Sequence, residues 1–146
     1  MSYQSATLDG LFVVRWGENP EAPDVERYAT ELQEAHEKQG KPLVALFIMP
    51  PDSGAPNEPF RKAQAARLPE IMSHLHYAVA VFEGEGFKTS LKRSALVAIL
   101  MLSRKRFPIH VRSSVREALV DKPAGPIDFD GKRALAELGR RAIAAA

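Results

Sequence analysis

Four histidines, His36, His74, His76 and His110, are the side chains best suited to hold a metal or shuttle a proton in this 146-residue chain. His74 and His76 lie two apart, so on a strand they would share one face. A metal site needs three or four converging ligands, and the spacing supplies no third, so no metal is expected. The sequence has no cysteine, which excludes thiol catalysis, disulfides, thiolate zinc and iron–sulfur clusters. Ser53, Ser90 and Ser94 stand in no nucleophile-elbow motif. Glu83 and Glu85 fall on opposite faces of an extended chain, a poor geometry for paired acid–base work. No catalytic residue and no cofactor are expected, and the chain reads as non-enzymatic.

One segment has the residue types for anion binding. Gly84-Glu85-Gly86-Phe87-Lys88-Thr89-Ser90 follows an apolar run and opens a helix. Helix-start N–H groups attract anions, and Lys88 and Lys92 add charge. Lys88 and Lys92 are four apart and share a helix face. The segment lacks the third glycine of a dinucleotide fingerprint and the Gly-Lys-Ser/Thr of a phosphate loop, and Glu83 and Glu85 oppose a phosphate. A tight turn is the simpler reading.

The formal net charge of +2 conceals an asymmetry. Residues 1–85 carry 7 Lys/Arg against 13 Asp/Glu, whereas residues 86–116 carry 8 Lys/Arg and no carboxylate. Either the halves neutralise one another or the basic segment meets an anionic partner. Nucleic acid is not expected, because only Phe87 and Phe107 interleave with the cations and no nucleic-acid motif is present. The longest apolar run, Ala95 to Leu102, is far too short to span a bilayer. No signal peptide is visible at the N-terminus, so a cytoplasmic location is expected.

The elements that must position these residues follow from hydrophobic pattern and breakers. Leu11–Trp16 reads as a strand, with Ser5–Leu8 pairing across Asp9-Gly10. Asp24 looks like the cap of a helix whose apolar face is Val25, Tyr28, Ala29 and Leu32, ended by Gly40. Pro42–Met49 shows no alternation, as a central strand covered on both faces does. Residues 50–59 form a breaker-rich loop, with Asn57 or Glu58 capping and Pro59 in the first turn of the next helix. Pro69 should kink or split that helix. His76–Phe82 is a strand. Residues 88–105 form a long helix, apolar all round at its centre and so expected to be deeply buried. Ile109–Val111 is a short strand. A short helix to Leu119 and a final helix from Asp128 or Asp130 to Ala145 complete the chain.

This order predicts an α/β domain, a mixed and mostly parallel sheet of 4–5 strands with helices packed on it. It resembles the STAS domain family, the fold of anti-sigma-factor antagonists, and within it the SpoIIAA-like branch, related in shape to Sec14-type lipid-binding domains. The resemblance rests on Leu11–Trp16, Leu43–Met49 with the Asp52–Pro59 loop, Tyr77–Phe82, the 88–105 helix and the elements of 109–119. It implies a STAS-like domain over residues 1–120; the breakers Pro123, Gly125 and Pro126 then mark a linker over 121–130, followed by a C-terminal helix over 131–146. Antagonist STAS domains carry a phosphorylatable serine at the start of the helix after the central strand. The resemblance thus makes Ser53 the candidate phosphorylation site, although the helix start here, Asn57-Glu58-Pro59, has no hydroxyl. The other reading of Ser53 is a plain turn residue.

Two functions are expected from this. The first is a regulatory, protein-interaction domain of bacterial signalling that presents the helix after Leu43–Met49 and the adjoining loop, including Ser53 and Asn57, to a protein partner. The second is a binder of a small amphipathic or anionic ligand near Trp16, Pro51, Phe60 and Phe87, with Lys88 and Lys92 at its charged end. Ligands of open α/β sheets sit beyond the carboxyl ends of the strands, where Trp16 and the 50–59 loop meet. An open sheet edge would also let two copies pair as a homodimer.

Overall fold

The computed structural model describes residues 3–103 and 106–143, apart from the side chains of Phe87 and Ser103. In chain order the elements are β1 (Tyr3–Leu8), β2 (Leu11–Trp16), α1 (Ala22–Gln39), β3 (Leu43–Met49), α2 (Glu58–Ser73), β4 (Leu75–Phe82), α3 (Phe87–Ser103), β5 (Ile109–Arg112), a π-helical turn (Glu117–Asp121) and α4 (Gly131–Arg140). The five strands lie side by side in sequence order. β1 pairs antiparallel with β2 through a hairpin that closes Leu8 against Leu11, and all later pairs are parallel. The domain is α/β with a mostly parallel mixed sheet, as its pattern of elements predicts.

That strand order decides where the helices go. When successive parallel strands are added in one direction by crossovers of the same right hand, every crossover helix falls on the same face. Residues of α1, α2 and α3 accordingly share one core with Phe12, Val14, Leu43, Ala45 and Ala78. The opposite face, with Leu11, Val13, Val44, Leu46, Ile48, Val79 and Val81, receives no crossover helix. It is covered by Ala118 and Leu119 of the π turn and by Ala134, Leu135 and Leu138 of α4. Residues 121–130 thus lead into a helix that forms a layer of the same domain. Gly131 allows this approach, since a Cβ there would lie 2.1 Å from the Leu119 carbonyl oxygen. Arg15 fastens the end of the layer by donating to the Ile143 carbonyl at 3.2 Å and to Glu83 at 3.3 Å.

Local signals place several ends where expected. Gly40 adopts the left-handed C-cap of α1 with φ 72°. Asn57 caps α2 by accepting from Phe60 N, with Pro59 in the first turn. Asp130 caps α4. Four expectations need correction. The cap of α1 is Glu21, and Asp24 is the third helical residue, accepting from Glu21 N at 2.8 Å in a capping box. Pro69 does not split α2, which runs on to Ser73. His74 caps the end of α2 and lies outside β4, so it does not share a strand face with His76. α4 ends at Arg140, short of the expected Ala145, and residues 144–146 lie outside the described chain.

The largest correction concerns α3. Its centre is not buried all round: Val97, Met101 and Leu102 are 55%, 74% and 53% exposed. α3 crosses to β5, a four-residue edge strand that gives it little sheet to sit on. It leans on α2 and stands off β4, so one side, with Lys92, Ala95 and Ile99, is covered and the other faces solvent.

Candidate functional site

The space under α3 is the candidate site. On the helical face of β4 the side chains alternate as Ala78, Ala80 and Phe82, two of them small. With α3 held away from the sheet, the alanines leave a cavity of about 90 Å³. Its floor is Phe47 and Met49 of β3 with Ala78, Ala80 and Phe82 of β4. Phe60, Gln64, Leu68 and Met72 of α2 form one wall, and Lys92, Leu96, Ile99 and Leu100 of α3 the other. Trp16, Pro20, Gly54 and Pro56 close the end beyond the strands' carboxyl termini, the position expected for a ligand in an open α/β sheet.

An aromatic cluster fixes that end. The Trp16 ring meets Phe60 edge-on at 5.0 Å, Tyr28 at 5.7 Å and Tyr3 at 5.6 Å, and Tyr28 meets Phe47 at 5.5 Å. Such edge contacts stabilise beyond the area they bury. The fully buried Tyr28 hydroxyl accepts from the Gln64 amide. Burial raises the Tyr28 pKa well above the usual phenol range, with the Gln64 hydrogen bond acting in the opposite direction. The hydroxyl therefore stays neutral.

Among the described residues, Lys92 is the one ionisable side chain on the lining. It is only 2% exposed, and its Nζ donates to the carbonyls of Pro50 at 2.7 Å and Pro51 at 3.4 Å. Burial draws its pKa below the usual lysine value and Lys88 adds to that, while Asp52 acts against both. The receiving loop is rigidly held. Pro50 O also accepts from Ser53 N at 3.0 Å and Ser53 Oγ at 2.8 Å, and Gly54 N donates to Glu18 O at 2.9 Å. A Cβ on Gly54 would meet Glu18 O at 2.3 Å, so only glycine fits.

Of the residues singled out from the sequence, the fold brings Trp16, Phe60 and Lys92 to one cavity. Pro51 contributes its carbonyl to Lys92. Ser53 is 3% exposed and its hydroxyl is engaged with Pro50. Asn57 is occupied in capping α2. Lys88 is exposed and does not line the cavity, so the two lysines do not act as one exposed basic face. The Phe87 side chain, and Arg104 and Lys105 of the basic segment 86–116, lie outside the described residues. Sequence reasoning missed Gln64, Tyr28 and the two alanines. The signal was present in Ala78 and Ala80, small residues alternating along a strand opposite a long apolar helix.

Elsewhere, the His36 and His74 rings meet at a tilt with centroids 4.7 Å apart, and His74 Nε2 is buried without a hydrogen-bond partner. Among the described residues no three His, Asp or Glu side chains converge as a metal site would require, and no helix is long and apolar enough to cross a membrane. No family model, no curated protein and no solved structure matches this chain.

Proposed function

We propose that this chain is a non-catalytic binding domain that takes a small ligand, apolar over most of its length, into the cavity between α2, α3 and the sheet. The observation that carries the reading is an apolar cavity at the carboxyl end of the strands whose only ionisable lining group among the described residues is the buried Lys92. Ligand sites are concave, mostly apolar and supplied with a few placed polar groups. Among the described residues the lining sets no second ionisable side chain beside Lys92, and the Gln64 amide donates to Tyr28, so no acid–base pair is assembled there. The test is a two-dimensional amide NMR titration with 1-hexanol as probe. Saturable shifts should cluster on Phe47, Ala80, Leu96 and their neighbours. Shifts that fail to saturate, or that scatter over the surface, would overturn the reading.

A second reading is favoured by the exposed Val97, Met101 and Leu102 on α3. In it the chain is a cytoplasmic regulatory domain of STAS-like type, and the element order supports it. The docking face would be α3 and not α2, whose outer side carries Glu58, Lys62 and Glu70. Phosphorylation of Ser53 belongs to this reading, and it requires the hydroxyl to leave Pro50 O. Replacing Met101 and Leu102 with glutamate would abolish partner binding under this reading and leave hexanol shifts intact.

A further inference from the structure

We infer that the polar end of the ligand is a single carboxylate, seated on the Lys92 ammonium. This rests on the reading of the cavity as a ligand site and adds the chemical class of what fills it.

An ammonium group carries three N–H donors. Two are directed at Pro50 O and Pro51 O, and the third has no partner among the described residues. The two carbonyls solvate the charge without neutralising it. Lys92 forms no ion pair among the described residues, and Asp52, the opposing charge that acts on it, is exposed to solvent. A buried cation without a counterion is strongly disfavoured. An anion entering the cavity supplies both the missing acceptor and the missing charge, and a charge-assisted hydrogen bond is about twice as strong as a neutral one.

The same inventory sets the size of the charge. With one cation on the lining, a phosphate dianion would bring uncompensated negative charge into apolar surroundings, with Asp52 adding repulsion. An alcohol or ketone can accept the third N–H but leaves the cation unpaired. A carboxylate matches in both respects. The cavity volume of about 90 Å³ is below the ~150 Å³ that admits benzene. A few carbons therefore fit inside, and a longer chain must extend beyond this volume.

The experiment compares hexanoate, 1-hexanol and hexyl phosphate by calorimetric titration at pH 7 and low salt. Hexanoate should bind about tenfold or more tightly than either of the others, and its advantage over hexanol should vanish in Lys92→Met, which keeps an unbranched apolar stem and removes the ammonium. Should that variant fail to fold, the wild-type series decides by itself. Equal binding of hexanoate and hexanol would overturn the carboxylate assignment and leave the cavity reading standing. Tighter binding of hexyl phosphate would overturn it in favour of a dianion. Binding of none of the three would overturn the cavity reading and this inference together.

Discussion

The Lys92 ammonium lies 2.7 Å from the Pro50 carbonyl oxygen, and this bond ties α3 to the loop that leaves β3. The same oxygen accepts from both the backbone and the hydroxyl of Ser53. One acceptor thus gathers the first turns of α3 and the loop over the cavity. A cation usually read as solvent-facing is here a buried structural peg with one donor left unpartnered among the described residues.

Lys92→Ala should therefore cost about 2 kcal/mol, the scale of a hydrogen bond to a charged group. Lys88→Ala, at an exposed site, should stay within about 0.5 kcal/mol. Urea unfolding of both variants checks this. Equal effects would show that the two lysines are equivalent surface charges, as their spacing alone suggests.

Leu46 is 1% exposed, and it faces the layer made by the π turn and α4. Leu46→Asp should abolish soluble folding, because an unpaired buried charge costs far more than a cavity. A soluble variant with an unchanged melting temperature would contradict burial of the sheet face covered by the π turn and α4.

The chain's pattern showed much of this frame. The unbroken apolar run of β3 announced a central strand, and Asn57, Gly40 and Asp130 marked helix ends because capping is local chemistry. What it could not show is non-local. Periodicity does not distinguish a helix buried all round from one standing over a short edge strand, so the exposure of Met101 was invisible. The burial of Lys92 depends on where the Pro50–Pro51 carbonyls arrive. The docking of α4 follows from a strand order that leaves one sheet face without crossover helices.

Gly131→Ala should loosen that docking. Its Cβ would fall 2.1 Å from the backbone oxygen of Leu119, so α4 must shift and partly expose Leu135 and Leu138. A destabilisation of about 2 kcal/mol or more is expected, within the range of overpacking, together with faster amide exchange in α4. A variant as stable as wild type would show that α4 does not form a fixed layer.

Mild acid should also weaken the fold. Burial first, and then the neighbouring His36, lower the His74 pKa from its ordinary 6.5, while Glu70 and Glu37 oppose the shift. Between the lowered folded value and 6.5 the unfolded chain binds more protons, so stability rises with pH there. The contribution is complete above 6.5 and is lost as pH falls below it. The urea midpoint should drop between pH 7.5 and pH 5.5, a window above the carboxylate range, and His74→Phe should reduce the drop. An identical pH dependence in the variant would remove His74 as its cause.

Trp16 is the only tryptophan in the chain and it lines the cavity, so its fluorescence reports directly on the central claim. Titration with hexanoate should change Trp16 emission saturably in the wild type. Ala80→Phe, which fills the floor of the cavity, should remove the change while retaining cooperative thermal unfolding. No saturable change in the wild type, or a full response in a folded Ala80→Phe variant, would contradict the account.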